Sequence, residues 1–221
     1  MRAMLPHAFY ARPTLEVAPD LLGKTLCRRT TAGIVRGIIV ETEAYCSASD
    51  AAAHGYHGVT PRNAAMAGPP GRAYVYFTYG VHYCLNCVTE PAGTSAAVLL
   101  RSIQPTHGLA LMRTRRPAGT RDRDLARGPG RLCQAFALTL ADNGADLTGP
   151  DLWIEPTPDW PAEIAIAASP RIGISRAVEL PGRFFVADSP WVSGPSVARR
   201  QSSRTTDTPA ATTAKEASST A

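Results

Sequence analysis

The chain of 221 residues is 44% hydrophobic and 19% charged, which excludes wholesale disorder and suits about one globular domain with a sizeable core. Its 23 basic and 18 acidic residues leave a net charge of +5, which suggests an anionic partner. Two of the basic residues, Lys24 and Lys215, are lysines and the other 21 are arginines, which excludes a side-chain amine nucleophile between residues 25 and 214.

Nothing in the sequence indicates a membrane or a secreted protein. No apolar run approaches the roughly 20 residues that cross a bilayer, and the N-terminus lacks the uninterrupted apolar stretch of a secretory signal. The five cysteines are too few, and odd in number, for a disulfide framework. We therefore expect no membrane partner and a cytoplasmic location, associated with the nucleoid if the source is bacterial.

Composition divides the chain into one folded domain and a tail. Residues 1–198 contain no internal repeat and no Gly/Ser-rich linker, so they are predicted to form a single domain. Residues 199–221 are dominated by Ala, Ser and Thr, and such a segment cannot bury enough apolar surface to offset the entropy of ordering it. We therefore predict a disordered tail over 199–221.

The order of the predicted elements favours an α+β fold with a mostly antiparallel sheet. The predicted strands are 24–29, 34–44, 72–78, 81–89 and 96–103, with three shorter ones centred on Trp153, 164–166 and 184–186. Tyr79 and Gly80 lie between the third and fourth strands, so this pair is predicted to form a hairpin. Two helices are predicted, one capped by Thr106 and ending near Arg115, the other over 131–138.

Two carboxylates and a phenol alternate in the segment VETEAY at the end of the second predicted strand. Alternation along a strand places Glu41, Glu43 and Tyr45 on one face. Such a set suits a polar cleft better than a core, although a solvated strand face is the plain alternative. The spacing does not say which glutamate is the active one.

Two pairs of metal-type ligands occur, His54 with His57 and Cys84 with Cys87. The second pair lies within a predicted strand, so the two thiols point to opposite faces and cannot share one tetrahedral ion. We therefore predict no metal site.

Four of the seven tyrosines lie in one ten-residue stretch of the predicted hairpin, at positions 74, 76, 79 and 83. A core strand would favour Val, Ile and Phe, because each buried hydroxyl needs a hydrogen-bond partner. Aromatic rings near histidines and carboxylates suit a surface on which nucleobases stack, and Tyr79 at the hairpin tip could enter a duplex. The alternative is an ordinary half-buried hairpin.

Eight arginines and only two acidic residues lie between Arg101 and Arg131. Arginine side chains suit phosphate oxygens, and the segment Gly128-Pro129-Gly130 before a helix adds free backbone N–H groups. A solvated helix face would also explain most of these arginines. Arg101 differs, because it ends an apolar strand and there needs a carboxylate partner on a neighbouring strand.

Taken together, these segments resemble the alkyladenine (3-methyladenine) DNA glycosylase family. The order and spacing of ten motifs along residues 11–194 carry the resemblance: ARPTLEVAPDLLGKTL, VETEAY, AAAH, TPRN, YVYFTYG, CLN, VLLR, GPGRLCQA, PRIGI and FFVADSPWVSG. The resemblance implies one curved, mostly antiparallel sheet with a protruding β-hairpin and surrounding helices. It also implies hydrolysis of the N-glycosidic bond of alkylated or deaminated purines in duplex DNA, with no cofactor and a monomeric enzyme.

The resemblance assigns catalytic roles to three residues. Glu43 would deprotonate the attacking water, which Arg101 and the backbone carbonyl of Ile172 would hold. Glu43 beside Arg101 should then stay ionised at neutral pH.

Other matched positions would bind the DNA. Tyr45 would stack on one face of the flipped base, with His54 and Tyr76 on the other side, and Asn86 would exclude guanine. Tyr79 would fill the gap left in the duplex. Two further arginines in matched motifs, Arg62 and Arg131, would contact the DNA backbone. His82 stands in the hairpin where the resemblance implies an aromatic residue.

The scarcity of lysine bears on mechanism, because glycosylases that also cut the DNA strand use an amine to form a Schiff base. We therefore expect a monofunctional glycosylase that leaves an intact abasic site. Three alternatives are open from the residues alone: a non-catalytic module that binds damaged DNA, a zinc hydrolase, and a small RNA-binding protein.

Overall fold

The computed structural model describes residues 4–46, 50–161 and 163–194. The helices in this part of the chain are α1 (His7–Tyr10), α2 (Thr14–Asp20), α3 (Leu109–Thr114) and α4 (Pro129–Phe136). The strands are β1 (Thr25–Thr30), β2 (Gly33–Tyr45), β3 (Ala73–Thr78), β4 (His82–Thr89), β5 (Ala96–His107), β6 (Leu152–Glu155), β7 (Ile166–Ser169) and β8 (Arg183–Val186). The predicted domain limit at 198 and the predicted tail over 199–221 lie outside the described residues.

These eight strands form one antiparallel sheet that curls strongly into half a barrel, which confirms the predicted α+β class. The strand order is β3-β4-β5-β2-β1-β6, and β8 joins β2 to β7. The long strand β2 pairs with β1 in its first half, with β8 in its second half, and with β5 along its other edge. Strands cover both edges of the second half of β2, and the side chains of Glu41 and Glu43 in this segment have no solvent exposure.

The predicted β3–β4 hairpin is confirmed, and a second hairpin joins β1 to β2. Strands β1 and β2 pair up to Thr30 and Gly33, and Gly33 has a φ of 131°, which favours glycine at the turn. Strands β3 and β4 pair from Ala73 with Cys87 to Thr78 with His82 and leave Tyr79, Gly80 and Val81 at the tip.

The predicted helix start at Thr106 is wrong. Strand β5 continues through His107, because its last residues pair with Gly37 and Arg36 of β2. Helix α3 begins only after Gly108, whose φ of 75° makes the turn out of the strand. Pairing with a neighbouring strand thus outweighed the local capping preference of a threonine.

The main core lies between the curled sheet and the helices packed on it. Helix α2 packs on β2, and α4 packs on β4 and β5. Fully buried side chains from both layers meet there, among them Leu26, Ile39, Leu100, Ile103 and Phe136. Burial of this apolar surface is the main term that stabilises the domain.

A second, smaller cluster lies at the β3–β4–β5 side of the sheet. It consists of Ala53, Met66, Tyr74, Val88 and Ala97. The half-buried rings of Tyr45 and Tyr76 pack against this cluster, so their positions depend on well-packed neighbours.

We predict that Phe136→Ala destabilises the domain by about 3–5 kcal/mol, because it removes a fully buried ring and leaves a cavity against β4 and β5. Urea unfolding would measure the change. Leu140→Ala is the control: its side chain is 53% exposed, so its free energy of unfolding should change by less than about 0.5 kcal/mol. Equal effects of the two substitutions would contradict this description of the core.

Candidate active site

A cleft of about 620 Å³ opens beside the β3–β4 hairpin. Almost all residues predicted for catalysis, base binding and intercalation line it: Tyr45, His54, Tyr76, Tyr79, Asn86, Arg101 and Ile172. The remaining one, Glu43, is fully buried and bonded to three of these lining residues. Segments far apart in the sequence thus meet at one place.

The carboxylate of Glu43 has three donors. The backbone N–H of Ile172 donates to Oε1 at 2.7 Å, and the hydroxyl of Tyr45 donates to Oε2 at 2.8 Å. The Arg101 guanidinium lies next to Oε2, with Nη1 at 3.2 Å. These contacts fix the carboxylate directly behind Tyr45, Arg101 and Ile172, which line the cleft.

Two opposed effects act on the charge of Glu43. Burial raises the pKa of this carboxyl above its ordinary value of 4.5, while Arg101, the Ile172 N–H and the Tyr45 hydroxyl act to lower it. The sequence indicated the effect of Arg101 but not the larger effect of burial. Burial, together with the nearby Glu43, also raises the pKa of Tyr45, which therefore stays a neutral phenol that can donate.

Arg101 has the carboxylate partner that its strand position predicted, and in fact it has two. Besides Glu43 it contacts Glu41, with Nε 3.1 Å from Oε1. The shared contact confirms that both glutamates point to the same side of β2. The expectation that both face a polar cleft is wrong for Glu41, because Arg101, Arg183 and the Ser193 N–H surround its carboxylate.

One wall of the cleft is aromatic. The ring centres of His54 and Tyr76 are 4.5 Å apart, and those of Tyr74 and Tyr76 are 5.4 Å apart in a stacked arrangement. His54 Nδ1 lies 2.8 Å from the Tyr74 hydroxyl. Burial, and to a lesser extent Arg62, lower the pKa of His54, so its imidazole is neutral at pH 7.

The cleft also contains two small polar side chains from β4. Asn86 is nearly buried and donates from Nδ2 to the carbonyl of Tyr74 at 3.0 Å, which fixes the orientation of its amide. Cys84 lines the cleft, whereas Cys87 packs into the main core. The prediction that these two thiols face opposite sides is therefore confirmed.

The hairpin tip presents Tyr79 to solvent. Val81 N–H donates to the Thr78 carbonyl at 3.2 Å, and both Tyr79 and Gly80 have positive φ, at 52° and 69°. This tight turn leaves the Tyr79 side chain 81% exposed at the edge of the cleft. Phe77 and Val81 beside it are also exposed, and such a cluster of exposed apolar side chains is typical of a binding surface.

Comparison with known proteins identifies the family. The model of the methylpurine-DNA glycosylase family matches residues 8–190. The chain belongs to this family. The glycosylase is 51% identical to a protein from Burkholderia lata over 90% of this chain and 94% of the relative. It is also 50% identical to a protein from Chlorobaculum parvum over 84% of this chain and 88% of the relative. A protein from Methanocella arvoryzae is 50% identical over 86% of this chain and 96% of the relative. All three relatives are provisionally named 3-methyladenine DNA glycosylase.

Membership establishes the coarse activity of the glycosylase: it is a DNA-repair hydrolase of N-glycosyl bonds, and DNA is its substrate. In the part of the chain that the structure describes, no helix combines the length and the apolar character needed to cross a membrane. The same part contains no group of three His, Cys, Asp or Glu side chains arranged to hold a metal ion.

The arginines between positions 101 and 131 do not form one free basic surface on the glycosylase. Asp124 lies within 4 Å of Arg121, Arg123, Arg127 and Arg131, and Asp122 pairs with Arg113 at 2.8 Å. Arg115 and Arg127 donate to backbone carbonyls, and Arg101 is buried in the site. The sequence shows two acidic residues in this segment, but it does not show how many arginines each of them contacts.

The two arginines predicted to contact the DNA backbone lie at the surface of the glycosylase. Arg62 donates to the carbonyl of Phe77 in the hairpin at 3.4 Å. Arg131, near the start of α4, has a half-exposed side chain 3.7 Å from Asp124. Beside it, Gly130 packs so closely on the ring of His82 that a Cβ would lie 2.8 Å from that ring. His82 of the hairpin thus contacts the start of α4.

Several polar side chains of the site were missed by the sequence analysis. Arg171 forms a buried, bidentate ion pair with Asp50, and its guanidinium carbon lies 4.7 Å from the centre of the Tyr45 ring. At the rim of the cleft, Arg176 lies 3.2 Å from His57. Arg171 lies in the matched motif PRIGI, so the motif marked its segment, but nothing in the local pattern pointed to Asp50.

Proposed function

We propose that this glycosylase flips alkylated and deaminated purines out of duplex DNA and releases them by water attack, with Glu43 as the general base. The substrates would be of the 3-methyladenine, hypoxanthine and ethenoadenine class. The observation that carries the proposal is the Glu43 carboxylate, which is bound by Ile172, Tyr45 and Arg101, three residues that line an aromatic cleft. A purine in the stack is out of reach of any such group, so it must leave the duplex.

In this mechanism Glu43 takes a proton from a water molecule held by Arg101 and the carbonyl of Ile172. The water oxygen bonds to C1′ of the deoxyribose as the C1′–N bond breaks, and the bonding electrons leave with the purine. An alkylated purine is already cationic, so it departs without a proton. A neutral base such as hypoxanthine would leave as an anion, so its release needs a proton from solvent on a ring nitrogen of the base.

The aromatic rings support binding of the flipped base. Tyr45 would stack on one face, with His54 and Tyr76 on the other side. Electron-rich ring faces favour a cationic base, and the neutral His54 adds no opposing charge. Asn86, with its amide held by the Tyr74 carbonyl, would exclude the 2-amino group of guanine.

Tyr79 would enter the duplex and replace the stacking lost when the base leaves, which its position on a tight exposed turn supports. Arg62 and Arg131 would contact phosphates near the hairpin. Each has an exposed or half-exposed guanidinium, and phosphate contacts position a protein on DNA without reading its sequence.

We further propose that the enzyme is monofunctional and acts as a monomer in the cytoplasm. Schiff-base chemistry needs an amine at the reacting carbon. Lys24 immediately precedes β1 and is not among the residues that line the cleft.

The decisive experiment is base release from duplexes that carry 3-methyladenine, hypoxanthine or ethenoadenine. We expect release by the native chain and a loss of about 10²–10⁴-fold in single-turnover rate for Glu43→Gln, with binding of lesion duplex retained. A damaged-DNA binding module would release no base and would be unaffected by the substitution. Strand cleavage without added alkali, together with a borohydride-trapped covalent complex, would contradict a monofunctional enzyme.

For the hairpin we predict that Tyr79→Ala weakens binding of lesion duplex by about 5- to 150-fold, the equivalent of about 1–3 kcal/mol of stacking. Binding of a free nucleoside should not change, because no neighbouring bases are present to contact Tyr79. Val81→Ala at the same exposed tip is the matched control, since an aliphatic side chain cannot stack, and it should have little effect. Equal loss of duplex and nucleoside binding in Tyr79→Ala would show that Tyr79 does not intercalate.

A further inference from the structure

We propose that Glu41 and Arg183 are positioning residues for base release: they hold Arg101 in the orientation that presents its guanidinium to Glu43 and to the attacking water. This inference rests on the proposed mechanism and extends it to two side chains that do not line the cleft. Both are almost completely buried, with Glu41 0% and Arg183 2% exposed.

The Arg101 guanidinium is held at each of its three nitrogens. Nε lies 3.1 Å from Oε1 of Glu41, and Nη2 lies 3.4 Å from the hydroxyl of Ser193. The third nitrogen, Nη1, lies 3.2 Å from Oε2 of Glu43. Because a guanidinium is planar, anchoring two nitrogens fixes where the third can lie. The contact with Glu43 is therefore set by the contacts that Arg101 makes behind it.

Glu41 is in turn held at both oxygens. Its Oε1 accepts from Nε of Arg183 at 2.7 Å, and its Oε2 accepts from the backbone N–H of Ser193 at 2.6 Å. The Glu41 carboxylate therefore has a fixed orientation, and the Arg101 guanidinium must orient to bind it.

Arg183 is fixed as firmly as Glu41. Its Nη1 donates to the hydroxyl of Ser169 at 2.9 Å, and its Nη2 donates to the carbonyl of Ser193 at 2.7 Å. Its guanidinium carbon lies 4.4 Å from the centre of the Phe185 ring. These contacts tie the arginine to β7, to its own strand β8 and to the segment that follows β8.

The charges along this path alternate, from Arg183 to Glu41 to Arg101 to Glu43, and they sum to zero. If Arg183 were absent, Glu41 and Glu43 would share the single charge of Arg101. Arg183 supplies Glu41 with a cation of its own, so Arg101 remains able to stabilise the Glu43 carboxylate. The pair thus controls both the orientation of Arg101 and the charge that it offers to Glu43.

A single substitution of Glu41 or of Arg183 cannot separate this role from a structural one, because breaking a buried ion pair leaves an uncompensated charge and destabilises the fold. The double variant Glu41→Gln/Arg183→Met removes one charge of each sign and keeps side chains of similar size. If the pair were merely structural, a folded double variant would release base at the native rate. If the pair positions Arg101, the double variant folds but releases base slowly.

The test measures thermal unfolding, lesion-duplex affinity and single-turnover release of 3-methyladenine. We expect the double variant to melt at a lower temperature than the native chain, because the bonds of Arg183 to Ser169 and Ser193 are lost, but to be folded under the assay conditions. It should bind lesion duplex normally and release base about 10²-fold more slowly, as for a misplaced catalytic group. Arg113→Gln/Asp122→Asn is the control, because it removes an exposed ion pair of 2.8 Å and should change none of the three. Release at the native rate by a folded double variant would overturn the proposal.

Ser193→Ala keeps the proposal testable if the double variant does not fold, since it removes the Nη2 contact and leaves every ion pair in place. We expect release to slow by about 2- to 10-fold without a change in affinity, and an unchanged rate would overturn the proposal. Glu43→Gln in the same assay separates the two claims. If Glu43→Gln releases base at the native rate, the proposed mechanism fails. If Glu43→Gln is inactive but the double variant and Ser193→Ala release base at the native rate, only the positioning role fails.

Discussion

A carboxylate without solvent exposure needs hydrogen-bond donors from the protein, and the Glu43 carboxylate receives them from three parts of the chain. The Tyr45 hydroxyl comes from the same strand, Arg101 from the adjacent strand β5, and the Ile172 N–H from the segment after β7. Each donor favours the charged form against the cost of burial. The fold of the domain brings these three donors together around one carboxylate.

The central position of β2 makes this possible. Strands β5 and β8 pair with its two edges, and the segments that contain Ile172 and Ser193 cover the face with Glu41 and Glu43, so these side chains must find partners inside the protein. Arg101 and Arg183, which pair with its glutamates, come from those two neighbouring strands. The site is therefore built into the sheet, and in the proposed complex the aromatic wall, the hairpin tip and the loops at the rim would face the DNA.

Local sequence pattern predicted those features that depend on near neighbours. Alternation in VETEAY placed Glu41, Glu43 and Tyr45 on one side of a strand. The clustered tyrosines indicated an aromatic surface, which is correct for the exposed Tyr79, whereas Tyr74 is buried in the smaller cluster. Motif order then led to the family, which the comparisons confirm. The roles of the individual site residues remain proposals that rest on the geometry.

Features that depend on distant contacts could not be predicted. No local pattern shows that Glu41 meets Arg183, 142 positions away, or that Asp50 pairs with Arg171. The helix expected from Thr106 was wrong for the same reason, because pairing with β2 extends strand β5 to His107. The arginines near Asp124 looked free in the sequence, since charge counting does not show which side chains share one carboxylate.

The central claim is that Glu43 is a buried but ionised base, and its own titration tests that claim most directly. Carbon-13 NMR of the glutamate carboxyls, with Glu43→Gln to assign the signal, reports the protonation state at each pH. Burial raises the pKa of Glu43, so we predict a midpoint above 4.5. We also predict the chemical shift of a carboxylate at pH 7, because Arg101, Ile172 and Tyr45 stabilise that form. The shift of a protonated acid at pH 7 would contradict the account.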